Sequence, residues 1–438
     1  MRKQIIRLIM VLCITAIGTV IASPFVQIKS GSFERNNSPY YFMGTNFWQG
    51  MNLGAPGLGR RNQLVIELDR MKNLGIKQLR ILALSEGPDS APYRIIPAVQ
   101  NTPGIMNEDL LKGLDFLLVE MKKRDMTAVV CLANFWPWSG GFAQWVSWAD
   151  ASTIPYPPPH PGGDWGTFQD YSARFYSLPQ AVKGQQESVK KIITRINSLS
   201  KIPYNEDPTI MSWELANEPR GAKNRKDFLA WISSSAKLIK SLDKNHLVTI
   251  GSEGETLNPR DAGNNFVEDH AIAEIDYATI HIWVENWGVY DPKKSNISLP
   301  MAVDTMRNYI EDHVNKSKTF KKPVVIEEFG IARDQRSMDP KSSTADRDHY
   351  YEAVFKETFR FMNMKGLVPG VNFWAWSGDA RPSKPYGSLW KKSDDLLGDP
   401  PHEEQGWYGV YGSDTSTLNL IKSYAKKFEI QAKKEIKP

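Results

Sequence analysis

Short apolar runs alternate with longer amphipathic stretches along the whole chain. Eight runs read as strands: Tyr41–Asn46, Gln78–Ile81, Thr127–Asn134, Ile210–Ala216, Leu247–Ser252, Tyr277–His281, Val324–Glu328 and Val371–Trp376. Between them, apolar residues recur at helical spacing over Arg61–Leu74, Leu110–Arg124, Glu187–Leu199, Lys226–Leu242, Met301–Lys318 and Arg347–Met364. Alternation of this kind buries a parallel sheet beneath helices, and eight units predict closure into a single (β/α)8 barrel. An open, doubly wound sheet is the rival, but no Gly-x-Gly-x-x-Gly or phosphate loop follows the first strand. Two connections are long: 135–177, with five tryptophans, and 377–416, with Tyr386, Trp390, Trp407 and Tyr408. Loops of this length in a compact domain are expected to serve function.

Composition narrows the setting. With 438 residues and 41% hydrophobic content, the chain is long enough for one large buried core. Residues 1–22 have a basic start and an apolar core from Leu8 to Ile21, with Val20 and Ala22 before a cleavage point at Ser23. That is the pattern of a secretory signal, which leaves 23–438 as the mature catalytic domain, outside the cytoplasm. Its removal takes away Arg2, Lys3 and Arg7, so the formal charge falls from +5 to 5 − 3 = +2. This balance offers no nucleic-acid surface, and the mature form is expected to be a monomer without membrane attachment. The lysines from Lys426 to Lys437 read as a solvated tail. Only Cys131 remains after cleavage, flanked by Val130 and Leu132 as a buried core thiol.

The chemistry lies where apolar runs end. Ile210–Ala216 runs into Asn217-Glu218-Pro219, and the proline stops the ladder and pushes Glu218 toward an extended or turn conformation. Val324-Val325-Ile326 runs into Glu327-Glu328-Phe329-Gly330. Carboxylates at two strand ends, where barrels keep their active sites, are what two-carboxylate glycoside hydrolysis requires. Glu218 is the expected proton donor and later base, with Asn217 beside it for the sugar 2-hydroxyl. Glu328 is the expected nucleophile. Strand alternation sends Glu327 to the opposite face, and Glu214, inside its strand, reads as structural. Arg80 closes the second strand and is expected to hold the nucleophile ionised. His281 ends the sixth strand, and Trp374 is the expected aromatic floor, with Trp376 second by the same alternation. No metal or cofactor is expected, since the seven histidines are scattered without ligand spacing.

Arg80, Asn217-Glu218-Pro219, His281, Glu328-Phe329-Gly330 and Trp374 together resemble the active-site signature of glycoside hydrolase family 5. Gly44–Trp48, Ser212–Arg220, Thr279–Trp283 with Asn286-Trp287, Arg195-Ile196-Asn197, Tyr204 and Asp207–Ile210 resemble its β-mannanase branch. The resemblance runs from about residue 25 to about 430. It implies retaining hydrolysis of β-1,4-mannosidic bonds in mannan, glucomannan or galactomannan, with Glu218 as acid/base and Glu328 as nucleophile. The implied substrate-binding residues are Arg80, Asn134, Asn217, His281, Trp283, Trp374, Trp48 and Trp136. Two positions depart from the wider family: Trp283 where many members have tyrosine, and Asn134 where many have histidine.

Endo-acting hydrolysis is the default within this branch. The 377–416 connection could wall off the cleft and make the enzyme exo-acting, as a β-mannosidase or mannobiohydrolase. A β-1,4-glucanase is the next enzyme reading, because the carboxylates do not identify the sugar. A silent carbohydrate-binding barrel is the reading from another class, and intact Glu218, Glu328 and Arg80 stand against it.

Overall fold

The computed structural model describes residues 23–57, 60–257 and 259–436. The expected signal segment, 1–22, lies outside them. All eight predicted strands form: β1 (Phe42–Asn46), β2 (Ile76–Leu82), β3 (Thr127–Cys131), β4 (Ile210–Glu214), β5 (Leu247–Thr249), β6 (Ala278–Ile282), β7 (Val324–Phe329) and β8 (Gly370–Phe373). They make one parallel sheet in the order 5-4-3-2-1-8-7-6, the expected (β/α)8 barrel. At the seam between β5 and β6, Asp276 N donates to Val248 O and Thr249 Oγ1 to Tyr277 O. β1 takes β2 on one side and β8 on the other, with Asn46 opposite Arg80 and Phe42 opposite Gly370.

The strands are buried on both faces because helices cover the outside while polar side chains fill much of the inside. Gln78, Arg80, Glu214, Glu327 and Asn372 are all buried. Gly44 makes room for two of them: a Cβ there would stand 2.0 Å from Asn372 Oδ1 and 2.7 Å from Gln78 Oε1. A three-stranded antiparallel sheet (Gln27–Lys29, Ser32–Arg35, Ser38–Pro39) closes the base, with Val26 and Phe33 packed on Met211, Leu247, Tyr277 and Val325.

The helices differ from the sequence reading in three places. The helix expected over Glu187–Leu199 spans Pro179–Ile193, because Pro179 is pre-organised for the first helical turn. The connection after β3 holds two helices of its own, Gly141–Asp150 and Trp165–Ala173, the second capped by Asp164. The lysine-rich end is a helix, Thr415–Glu435, not a solvated tail. Ile421, Tyr424, Phe428 and Ala432 are buried on its inner face, and its lysines lie on the other. Its last residue, Glu435, accepts a 2.7 Å bond from Tyr41 Oη at the entrance to β1. No helix among the described residues is long and apolar enough to cross a membrane.

One irregularity shapes the site. Ile326 pairs with Ile280 but Glu328 pairs with His281, so β7 carries an extra residue, Glu327, opposite a single step of β6. A bulge of this kind breaks period-two alternation. Glu327 is therefore not turned away to the outer face: its Oε2 lies 3.5 Å from His281 Nε2 and 3.7 Å from Arg80 Nε.

Candidate active site

The carboxyl ends of the strands bring Arg80, Asn217, Glu218, His281 and Glu328 together. Beyond β4, Asn217 N donates to Ala133 O and Glu218 N to Gly251 O, so the segment is held from both neighbouring strand ends. Glu218 adopts a left-handed φ of 48°, a costly conformation for a side chain of this size. Those backbone bonds, with Pro219 next in the chain, keep it there.

Glu218 is held from both sides of its carboxyl group. Its Oε1 lies 2.6 Å from His281 Nδ1, and its Oε2 accepts from Trp136 Nε1 at 2.6 Å. Burial works to raise its pKa. The His281 bond and charge, Arg220 and Trp136 outweigh burial and bring it down to about 2. Burial likewise opposes charge on His281, but Glu328 and bonds to the surrounding glutamates push its pKa well above the ordinary histidine value. The Glu218–His281 pair thus holds a proton between Oε1 and Nδ1, resting on the ring and one short transfer from the carboxylate.

Glu328 takes a close charge-assisted bond from Arg80 Nη1 and a 3.2 Å bond from Trp283 Nε1. The same guanidinium spans Glu214, with Nε and Nη2 at 2.7 and 2.6 Å, and donates to Asn217 Oδ1 at 2.7 Å. Glu214 is pushed up to about 7, first by burial and then by the charge of Glu327, against the pull of Arg80. Arg80 thus ties Glu214, Asn217 and the nucleophile candidate together through one guanidinium. Oxygens of Glu218 and Glu328 and a nitrogen of His281 lie within 4.8 Å of one another. This cluster could physically accept a cation. His281 is already bonded to Glu218, and Arg80 supplies the positive charge at Glu328, so nothing in the donor set calls for one.

Above the two glutamates opens a cavity of about 620 Å³, lined by Trp136, Trp165, Asn217, Trp283, Trp374 and Trp407 among others. Tryptophan faces suit the apolar C–H faces of pyranose rings. A larger hollow of about 1110 Å³ lies near Ser342, Tyr386 and Ser416 and gathers none of the expected site residues.

Of the eleven residues expected at the site from sequence, six line this cavity and five stand behind it, Arg80 among them beneath Glu328. Trp48 is buried behind Trp138 and donates to Gly398 O at 2.8 Å. Asn134 is fully buried and accepts from Asn217 Nδ2 at 3.1 Å, so it steadies Asn217. His281 is fully buried among Glu218, Glu327 and Glu328. Trp376 does not share Trp374's direction: β8 ends at Phe373, so alternation does not carry to 376, and its indole bonds Glu67 at 3.0 Å. Trp283, in place of tyrosine, still presents an N–H donor to Glu328.

Sequence reading missed Arg220, Glu253, His402 and Glu403, which also line the cavity. Arg220 lies over the Trp136 ring and binds Glu253 at 2.7 Å. His402 and Glu403 sit in coil between Pro400-Pro401 and Trp407, where no periodicity marks a direction. Asp399 folds that coil by accepting from Gly406 N and Tyr408 N at 3.0 and 2.7 Å. His402 then meets Trp165, across the cavity mouth, with ring centroids 6.2 Å apart.

A family model described as GH family 5 beta-mannosidase-like matches residues 23–433. Mannan endo-1,4-beta-mannosidase 1 of Solanum lycopersicum is 31% identical over 366 residues, 80% of this chain and 83% of the relative. A crystal structure of a glycoside hydrolase family 5 mannosidase from Rhizomucor miehei is 39% identical, with a TM-score of 0.84, over 94% of this chain and 99% of that one. A variant of that mannosidase, solved in complex with mannosyl-fructose, is 38% identical with a TM-score of 0.85.

Proposed function

Because the chain belongs to the β-mannosidase-like group of glycoside hydrolase family 5, and is thereby a glycoside hydrolase, we propose that it cleaves β-1,4-mannosidic bonds with retention of configuration. The observation that carries the mechanism is that a carboxylate oxygen of Glu218 lies within 4.8 Å of one of Glu328, too near to leave the gap an inverting enzyme needs. Retaining enzymes hold their carboxyl groups about 5–5.5 Å apart, whereas inverting ones leave about 6.5–9.5 Å for a water. Glu328, which accepts hydrogen bonds from Arg80 Nη1 and Trp283 Nε1, attacks the anomeric carbon. Glu218, taking the proton from His281 Nδ1, delivers it to the leaving oxygen. A covalent mannosyl–Glu328 ester results, and Glu218 then activates the water that hydrolyses it. Mannan as substrate is supported by the likeness to the tomato mannan endo-1,4-beta-mannosidase, and a mannosidic bond by that to the Rhizomucor miehei mannosidase.

The cavity favours attack near chain ends. Trp136, Trp165 and His402 form one wall, with centroids 5.6 and 6.2 Å apart along it. This wall joins the loops after β3 and β8, and on our reading it narrows the path of an extended polymer. Internal cleavage, the mode named for the tomato relative, is the second reading. The test is a product profile on mannohexaose and cellohexaose, with the anomer of the first product followed by proton NMR. Mannose or mannobiose released stepwise, first as the β-anomer, is expected. Mixed internal products would overturn chain-end attack alone. A first-formed α-anomer would overturn retention, and cleavage of cellohexaose alone would overturn the mannan assignment.

A further inference from the structure

We propose that Glu327 is a positioning residue that clamps His281 from inside the barrel and so governs the proton His281 shares with Glu218. The inference rests on the acid/base role given to Glu218 above. It starts from the β7 bulge, which turns two successive glutamates toward one histidine. Glu328 faces the Nδ1 side at 3.3 Å, and Glu327 faces Nε2 at 3.5 Å.

Glu327 is fully buried, and among the described residues neither of its oxygens, nor His281 Nε2, has a hydrogen-bond partner. A buried carboxylate with unspent acceptor capacity is costly unless a positive group answers it. Two such groups lie nearby. Arg80 is already committed to Glu214, Glu328, Asn217 and Asn46, and its Nε stands 3.7 Å from Glu327. His281 offers the nitrogen not engaged by Glu218.

Other charges face the ring as well. Glu218 approaches from the segment after β4, Glu253 from the segment after β5, and Glu328 from β7; Arg80 on β2 opposes them through its own positive charge. Within this set Glu327 alone addresses Nε2. Its negative charge favours a proton there. Nε2 then keeps its proton facing Glu327 while Nδ1 trades the second proton with Glu218. Without that charge the ring gives up its second proton at lower pH, and Glu218 loses its supply.

The experiment compares the wild-type mature chain with Glu327→Gln and Glu327→Asp. The rate readout is kcat/KM against pH on aryl β-mannosides, one with a poor leaving group that needs Glu218 as acid and one with a good leaving group that does not. The second readout is the ¹⁵N shift of the His281 ring nitrogens against pH, assigned by loss of the signals in His281→Asn. For Glu327→Gln the basic limb with the poor leaving group is expected to move acidward by about one pH unit or more. The limb with the good leaving group stays near wild type, and the His281 titration moves with the first limb. Glu327→Asp, with its charge drawn back by one methylene, moves both in the same direction by less. An unchanged limb and an unchanged His281 titration in Glu327→Gln overturn the proposal. Should Glu327→Gln not fold, an unmoved His281 titration in Glu327→Asp overturns it instead. A wild type inert on every mannoside would defeat the function proposed above, while the ring titration would still decide the role of Glu327.

Discussion

The floor and the rim of the cavity are built by opposite means. On the floor, short strands fix the backbone, and the side chains are charges locked by charge: one arginine bonded to two carboxyl groups, one histidine among three. On the rim, coil and short helices carry aromatic rings and prolines, and their order comes from a few buried acceptors such as Asp399. The contrast separates the two tasks of a glycosidase. Bond breaking needs groups placed to a fraction of an ångström in a dry site, and a strand end provides that. Choosing where along a chain to cut needs walls, which loops can redraw without disturbing the barrel.

Each half of the contrast can be pressed until it fails. The largest effect belongs to the floor: Glu328→Gln should cost on the order of 10⁴-fold or more in kcat, as removal of a nucleophile does elsewhere. Near-wild-type turnover of an aryl mannoside by folded protein would place the nucleophile elsewhere. A smaller effect belongs to the rim. Trp165→Ala removes the ring that meets His402 and should leave kcat on a short aryl mannoside within about tenfold, because the ring touches no reacting atom. Product analysis on mannohexaose should show longer fragments from the opened mouth, and an unaltered profile would remove the wall as the cause of chain-end attack.

The smallest effect is one of stability. Glu214 has a pKa raised from 4.5 to about 7 in the folded state, chiefly by burial. A raised folded pKa adds stability that is fully present below the unfolded value and is lost as pH rises through the folded one. Melting temperature should therefore fall between about pH 4.5 and 7 in the wild type, and this slope should be reduced in Glu214→Gln. Equal slopes in both proteins would assign the floor's proton to another group.

The same contrast explains what could be read from sequence. Strands buried on both faces leave runs such as Val324-Val325-Ile326, and all eight barrel strands were visible in that way. Glu218 and Glu328 were visible because proline and glycine mark where the runs end. Glu327 was misread because a bulge leaves no trace in a period-two pattern; only the register against β6 reveals it. Trp376 was misread for a related reason, since alternation was carried past the end of β8. The lysines of the last helix concealed an apolar stripe at Ile421, Tyr424 and Phe428. His402 and Glu403 had no signature at all, for coil is directed by contacts distant in the chain.

The pairing of β1 has a consequence for how the molecule is made. Its partner β8 is more than 300 residues downstream, and Tyr41 beside it is tied to Glu435, 394 residues away. A nascent chain therefore carries one strand with an open edge until β8 has been made. Contacts of such long range come late and slowly, because the loop entropy must be met before they form. The helix Thr415–Glu435 latches the first strand, so that strand is secured only once residues far downstream have folded onto it.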